Sequence, residues 1–157
     1  MHPSAEKVAR ALAEAGVTGE VRELETSART AAEAAAALGC EVGAIANSLI
    51  FMAGDQALLI LTSGAHRVDT AHVSDHLGGV KLRRATPEEV RSATGQAIGG
   101  VAPIGHPGPV RTLIDTALRA YDRIWAAGGT PKTIFPTVFD ELRRISSAEE
   151  VSVTREP

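Results

Sequence analysis

The sequence predicts a single domain that mixes α-helices with β-strands, and three observations predict it. Its 157 residues are the length of one ordinary domain, enough to hide roughly 70% of the unfolded surface without a disulfide or a metal. Residues 48–52 and 57–61 are apolar runs on either side of Gly54-Asp55, the pattern of a β-hairpin and its turn. Before and after that hairpin, Ser4, Thr30, Thr86 and Thr137 each precede a stretch of helix formers, as helix caps do.

Taken in order, Ser4 is expected to cap a helix with Glu6 in its first turn, Val8, Leu12 and Ala15 on its apolar face and Gly16 at its end. Val21 to Leu24 alternates and reads as a short strand. Thr30 and Glu33 have capping-box spacing at the start of an alanine-rich helix that stops at Gly39. The second hairpin strand is continuously apolar, which predicts cover on both faces. Thr62 to Arg67 follows as a polar loop, Asp69 to His76 as a short helix, and Val80 to Leu82 as a strand. Thr86 with Pro87 opens another helix. Gly95, Gly99, Gly100, Pro103, Gly105, Pro107, Gly108 and Pro109 then crowd one loop. Val110–Ile114, Arg123–Ala126 and Thr133–Phe135 read as strands, with Gly128-Gly129 as a turn. Thr137 caps a closing helix through Leu142, and the tail from Ser146 reads as frayed. One domain over 1–157, with its core in about 5–145, accommodates all of this.

Composition excludes several classes. Sixteen basic against nineteen acidic residues give a formal net charge of −3, which excludes a strongly basic nucleic-acid protein that binds with its whole surface; no DNA partner is expected. A 3% aromatic share argues against base stacking on aromatic platforms. The single cysteine, Cys40, excludes an internal disulfide and a multi-cysteine zinc site; it reads as a small apolar residue or a reactive thiol. No apolar run approaches the roughly 18 residues of a membrane span, and the first residues lack the basic-then-apolar pattern of a signal peptide. A cytoplasmic protein with no membrane partner is expected.

The chemistry-bearing patterns are few. There is no nucleophile elbow, no phosphate-binding loop ending in Lys-Ser or Lys-Thr, and no HExxH. Ser63, His66 and Asp69, three apart, offer the groups of a hydrolase triad, although triads are built from separated elements. His72 and His76 could share a metal on one helix face or simply face solvent. The glycine-proline loop is the best candidate. Its glycines let backbone N–H groups approach a carbonyl or developing oxyanion, and its prolines hold it rigid; the plainer reading is a tight strand connection. Thr62 to Arg67 could sit beside it, with Arg67 meeting a phosphate.

Four segments in order resemble one family. Thr30 to Gly39 followed by Ile45-Ala46-Asn47-Ser48-Leu49-Ile50-Phe51 resembles the opening motif pair of the YbaK/EbsC family. Leu61 to Gly64 with Arg67-Val68-Asp69 resembles its next segment, and Gly99-Gly100-Val101-Ala102-Pro103-Ile104-Gly105 its glycine-rich loop. The resemblance covers about residues 5–145. It implies an α+β fold, a mixed and partly barrel-like sheet with helices packed around it, related to the editing domain inserted in bacterial prolyl-tRNA synthetases. It implies a free-standing trans-editing deacylase that hydrolyses the ester of mischarged aminoacyl-tRNA without a cofactor. The partners implied are the tRNA acceptor end with its amino acid and, as a second candidate, an aminoacyl-tRNA synthetase.

On that resemblance Asn47, Gly99, Gly100, Val101 and Pro103 form the catalytic set. The loop N–H groups would meet the ester carbonyl, and Asn47 would orient a water or the ribose. Thr30, Ser48, Thr62, Ser63, Gly64, His66, Arg67, Gly105 and His106 form the substrate-binding set. His106 reads equally as a proton donor and as a plain loop histidine. Family members carry a lysine where this chain has Asn47. Asparagine lacks that charge, so the chain edits another amino acid, borrows a charge from Arg29 or Arg67, or has become a non-catalytic tRNA- or ligand-binding relative.

Overall fold

The structure, a computed structural model, describes residues 1–155. In chain order its elements are α1 (Pro3–Glu14), β1 (Arg22–Glu23), α2 (Ala31–Leu38), β2 (Ile45–Ala53), β3 (Gln56–Ser63), α3 (Thr70–His76), β4 (Leu82–Arg84), α4 (Pro87–Thr94), β5 (Arg111–Asp115), β6 (Ile124–Ala127), β7 (Thr133–Thr137), α5 (Phe139–Ser146) and β8 (Glu149–Val151). Short 3-10 turns at Val42–Ala44 and Thr116–Ala120 complete the set.

The hairpin is the spine. β2 and β3 pair without a break from Ala46↔Ser63 to Ala53↔Gln56, and Gly54 takes the positive φ, 67°, that the two-residue turn requires. The strand order β1-β7-β6-β2-β3-β5-β8 makes one eight-stranded sheet, with β4 on the far half of β2. β2–β6, β3–β5 and β5–β8 are parallel pairs and the rest antiparallel, so the domain is α+β with a mixed sheet. β3 is covered on both faces, as its apolar run predicts. Leu59 and Leu61 join the main core with Val8, Leu12, Phe135 and Leu142, while Leu58 and Ile60 pack with Val73, Leu113 and Val153.

Caps are where sequence and structure differ first. Thr30 and Thr86 cap α2 and α4 as expected, each accepting the N–H of the glutamate three residues on. Ser4 does not cap α1: the helix starts two residues earlier, at Pro3, and the His2 ring at the cap accepts the Ser4 N–H at 3.0 Å. Thr137 does not cap α5 either. Val138 holds the cap position, while the Thr137 hydroxyl donates to Glu141 at 2.6 Å, and the helix continues to Ser146.

Strand ends differ too. Thr62 and Ser63 belong to β3 rather than to a loop, because both are buried against neighbouring strands. β4 lies two residues later than expected, in register with Phe51–Ala53. Of the tail expected to fray, residues 146–155 are structured, and residues 156 and 157 lie outside the described residues. Glu149–Val151 extends β5 in parallel, and Ala148, Val151 and Val153 are buried. No helix among the described residues is long and apolar enough to cross a membrane.

Candidate active site

The hairpin also creates a gap. Along an antiparallel ladder, alternate residues bond the partner strand and the others turn their N–H and C=O to the opposite edge. Gly64 N–H donates to Ile45 O at 2.8 Å, and on the other edge Ala85 N–H donates to Ile50 O at 3.0 Å. Even-numbered β2 residues therefore face away from β3. On that edge β6 pairs only with Ile45 and Ala46, and β4 resumes only at Phe51. Ser48, paired with Leu61 on the β3 side, has no strand partner on this edge, and its hydroxyl is buried with no hydrogen-bond partner among the described residues.

A cavity of about 40 Å³ opens at this gap. Its walls come from four stretches: Ala28–Ala31 with Ala34, Ile45–Ser48, Gly99–Val101, and Trp125–Ala127 with Thr130, Thr133 and Ile134. Arg29 is the one charged residue among them. The Asn47 amide has no hydrogen bond among the described residues. Thr130 and Thr133 share a hydroxyl–hydroxyl bond of 2.9 Å within the β6–β7 turn.

The glycine loop is held from two sides. Gly100 O accepts the Gly129 N–H at 3.0 Å, and a Cβ on Gly100 would run into the backbone of Thr130 and Pro131. Gly99 takes φ 91° against the Arg29 side chain. Behind the loop, the buried Gln96 carboxamide accepts the Ala102 N–H at 2.7 Å, and His106 Nε2 donates to Ala102 O at 2.8 Å. What remains unspent is informative. The N–H groups of Gly99 and Val101 have no partner among the described residues, and Gly100 N–H reaches Ala97 O only at 3.4 Å. Buried backbone donors are nearly always satisfied, so an unpartnered N–H on Val101, 2% exposed, at a cavity wall is a ready place for a ligand oxygen.

Of the residues singled out in the sequence, Thr30, Asn47, Ser48, Gly99, Gly100 and Val101 come together at this cavity. Pro103, Thr62, Ser63, Gly64, His66, Arg67, Gly105 and His106 do not line it. His106 lies behind the loop beside Lys7 and Arg10. Burial holds its imidazole below the usual histidine range; the Ala102 carbonyl opposes this and the Lys7 charge adds to it. A histidine depressed in the folded state is protonated more readily in the unfolded chain. Its contribution is therefore present above the ordinary value of 6.5 and lost as pH falls below it. Urea midpoints measured at pH 7 and pH 5 should drop less in His106→Gln than in the wild type.

Ser63 and His66 form a different unit. Asp115, 1% exposed, accepts the Ser63 N–H and the His66 Nδ1 proton on Oδ2, both at 3.0 Å, and the Ala117 N–H on Oδ1 at 3.0 Å. The Ser63 hydroxyl donates to Gly43 O at 2.8 Å, and Asp69 caps α3 through the His72 N–H. Ser63, His66 and Asp69 thus make no triad: the histidine bonds Asp115 and the serine bonds backbone. His76 pairs with Glu149 at 3.0 Å, and no group of three or more potential ligands gathers among the described residues. Cys40 packs half-buried beside α2, and burial raises its thiol, the behaviour of a small apolar residue.

Sequence reasoning missed Trp125, Ala126, Thr130, Thr133 and Gln96. The first four reach the cavity only through the β2–β6 pairing and the turn after it. Gln96 carries one visible signal, an amide inside an otherwise apolar and glycine-rich stretch.

Residues 25–145, which supply every wall of the cavity, match the aminoacyl-tRNA editing domain family. The chain belongs to that family. Among its relatives, YwhH of Bacillus subtilis (strain 168), a protein of uncharacterized function, is 34% identical over 128 residues, 81% of each chain. The proline–tRNA ligase of Nitratidesulfovibrio vulgaris (strain Hildenborough) is 31% identical over 126 residues, 80% of this chain but 20% of that enzyme. Among solved structures, a candidate trans-editing enzyme for prolyl tRNA synthetase superposes with a TM-score of 0.92 at 44% identity, covering 99% of both chains. This editing domain therefore shares the architecture of that solved structure over 99% of both chains.

Proposed function

We propose that this editing domain hydrolyses the ester of a mischarged tRNA in trans, releasing a small amino acid. One observation carries the reading: a small cavity is lined by Gly99 and Val101, whose N–H groups are unspent, and by Asn47 and Ser48, whose amide and hydroxyl have no hydrogen-bond partner among the described residues. An aminoacyl ester is already activated, so binding the developing oxyanion and positioning a water supply much of the catalysis. The water oxygen bonds to the carbonyl carbon, the loop N–H groups take up the oxyanion, and the carbon–oxygen ester bond breaks. The ribose oxygen departs as a hydroxyl with one proton of the water, the other proton is released to solvent, and the amino acid leaves as its carboxylate. Asn47 and Ser48 hold the water or the ribose.

Two features narrow the reading. A cavity of about 40 Å³ is far below the roughly 150 Å³ that admits benzene, so the side chain accepted is small. Arg29 lines the cavity and Arg67 does not, which favours Arg29 as the source of the charge that Asn47 lacks; it would meet the terminal phosphate.

The test is single-turnover deacylation of Ala-, Ser-, Thr- and Cys-tRNA by wild type, Asn47→Ala and Arg29→Gln. Hydrolysis of one or two of the smallest is expected, with Arg29→Gln slower by roughly tenfold and partly restored by adding Asn47→Lys. Wild-type rates equal to the no-enzyme rate across the panel would overturn the reading and leave a tRNA-binding module.

A further inference from the structure

Trp125 walls the cavity and carries two guanidinium groups. Arg22 of β1 lies 5.2 Å from the ring centroid, and Arg123, just before β6, lies 6.0 Å from it. Several other arginines are engaged with carboxylates, Arg83 with Glu89, Arg119 with Glu150 and Arg155 with Asp69, whereas among the described residues Trp125 alone has two guanidinium groups over its ring. Arg22 and Arg123 form no ion pair among the described residues, although Glu20 and Glu141 line the same depression. A guanidinium lying on an indole is held by its face and keeps its N–H edge free, the arrangement that receives a phosphate in a bidentate grip. With Arg29 at the cavity, these two arginines put a cationic edge beside the candidate site of a chain whose net charge is −3.

We propose that Arg22 and Arg123 clamp the phosphodiester backbone of the single-stranded RNA end whose terminal ester enters the cavity. The proposal builds on the deacylase reading. It assigns the approach of the strand to the β1–β6 side of Trp125. Two small contacts of this kind allow an acidic protein to hold RNA at one end only, since affinity is gained at the phosphates while specificity stays in the cavity.

The experiment uses the whole chain and an uncharged RNA minihelix that copies the tRNA acceptor end with its single-stranded 3′ tail. Trp125 is the protein's only tryptophan, so its fluorescence reports binding at the clamp without a label. Wild type should bind with a tryptophan signal and a steep salt dependence. Arg22→Gln/Arg123→Gln should bind roughly tenfold more weakly or worse, and its log K against log salt slope should be shallower by about 1.4, at about 0.7 per single-strand phosphate. Arg22→Lys/Arg123→Lys should fall between the two. In deacylation of charged tRNA the loss should appear in KM rather than kcat. Equal affinity and equal slope in wild type and the glutamine variant would overturn the clamp, as would failure of the wild type to bind the minihelix. If charged tRNA is hydrolysed with the same KM by both, the clamp falls and the deacylase reading stands. If no charged tRNA is hydrolysed while the variant still loses minihelix binding, the deacylase reading falls and the RNA contact stands.

Discussion

Gly100→Ala is expected to cut single-turnover deacylation by about a hundredfold or more, the scale of losing a preorganised oxyanion donor. The added Cβ meets main-chain atoms of Thr130 and Pro131 rather than a side chain that could swing away. Relief requires the loop to lift from the β6–β7 turn, which also stretches the Gly129–Gly100 bond. That movement displaces the Gly99 and Val101 N–H groups together, and overpacking of this kind should cost roughly 1–3 kcal/mol of stability as well. Gly108→Ala is the matched control, since a Cβ there has open space around it. Full activity in a folded Gly100→Ala protein would show that the loop is not at the ester.

The second large effect is expected at Asp115. Asp115→Ala removes the acceptor for two backbone N–H groups, those of Ser63 and Ala117, and for the His66 ring. A buried donor left without a partner costs roughly 1–3 kcal/mol, so denaturant melts should show a loss of roughly 2–5 kcal/mol. Asp115→Asn should fall between, because one amide oxygen can serve only one side of the carboxylate's former partners. His66→Ala should cost less than either, since its side chain is 26% exposed and no backbone donor is orphaned. A melt unchanged in Asp115→Ala would mean that the turn after β5 is not anchored through this carboxylate.

Local chemistry was legible in the sequence wherever one segment carries its own reason. Thr30 with Glu33 and Thr86 with Pro87 specify helix starts within four residues, and Gly54-Asp55 specifies the hairpin by its own geometry. The glycine-proline crowding around Gly99 and Gly100 marked the loop as a candidate before any neighbour was known, and that loop lines the cavity. Elements that exist through a neighbour were hidden. Glu149-Glu150-Val151 has poor β-propensity and forms a strand because β5 offers an open edge. Thr62 and Ser63 look like loop residues, yet they continue β3 because Asn47 and Ala46 pair with them. The β2 segment starts three residues before the apolar run, where Ile45 and Ala46 meet Trp125 and Ala126.

The candidate site was half legible for the same reason. Asn47, Ser48 and the glycine loop stand out as motifs, while Trp125, Thr130 and Thr133 become neighbours only once a parallel pair joins strands far apart in the chain. Whether Arg29 or Arg67 lies near Asn47 depends on the path of the segment before α2. Leu24 N–H bonds Lys132 O and Ala28 N–H bonds Pro131 O, which strings Arg29 across the β6–β7 turn. No spacing rule contains that information.

The four-part wall of the cavity has a consequence for how the protein comes into being. Its pieces run from Ala28 to Ile134, and the pairings that hold them, Ile45↔Trp125 and Arg22↔Ile134, close very long loops of chain. Such pairings form late and slowly, because the entropy of loop closure is paid before any contact rewards it. On the ribosome the hairpin can form early, but nothing resembling the site exists until Ile134 has emerged and turned back. Activity should therefore appear in one step, after most of the sheet, in refolding followed by both circular dichroism and deacylation. A chain interrupted before β7 would be wholly inert rather than partly active.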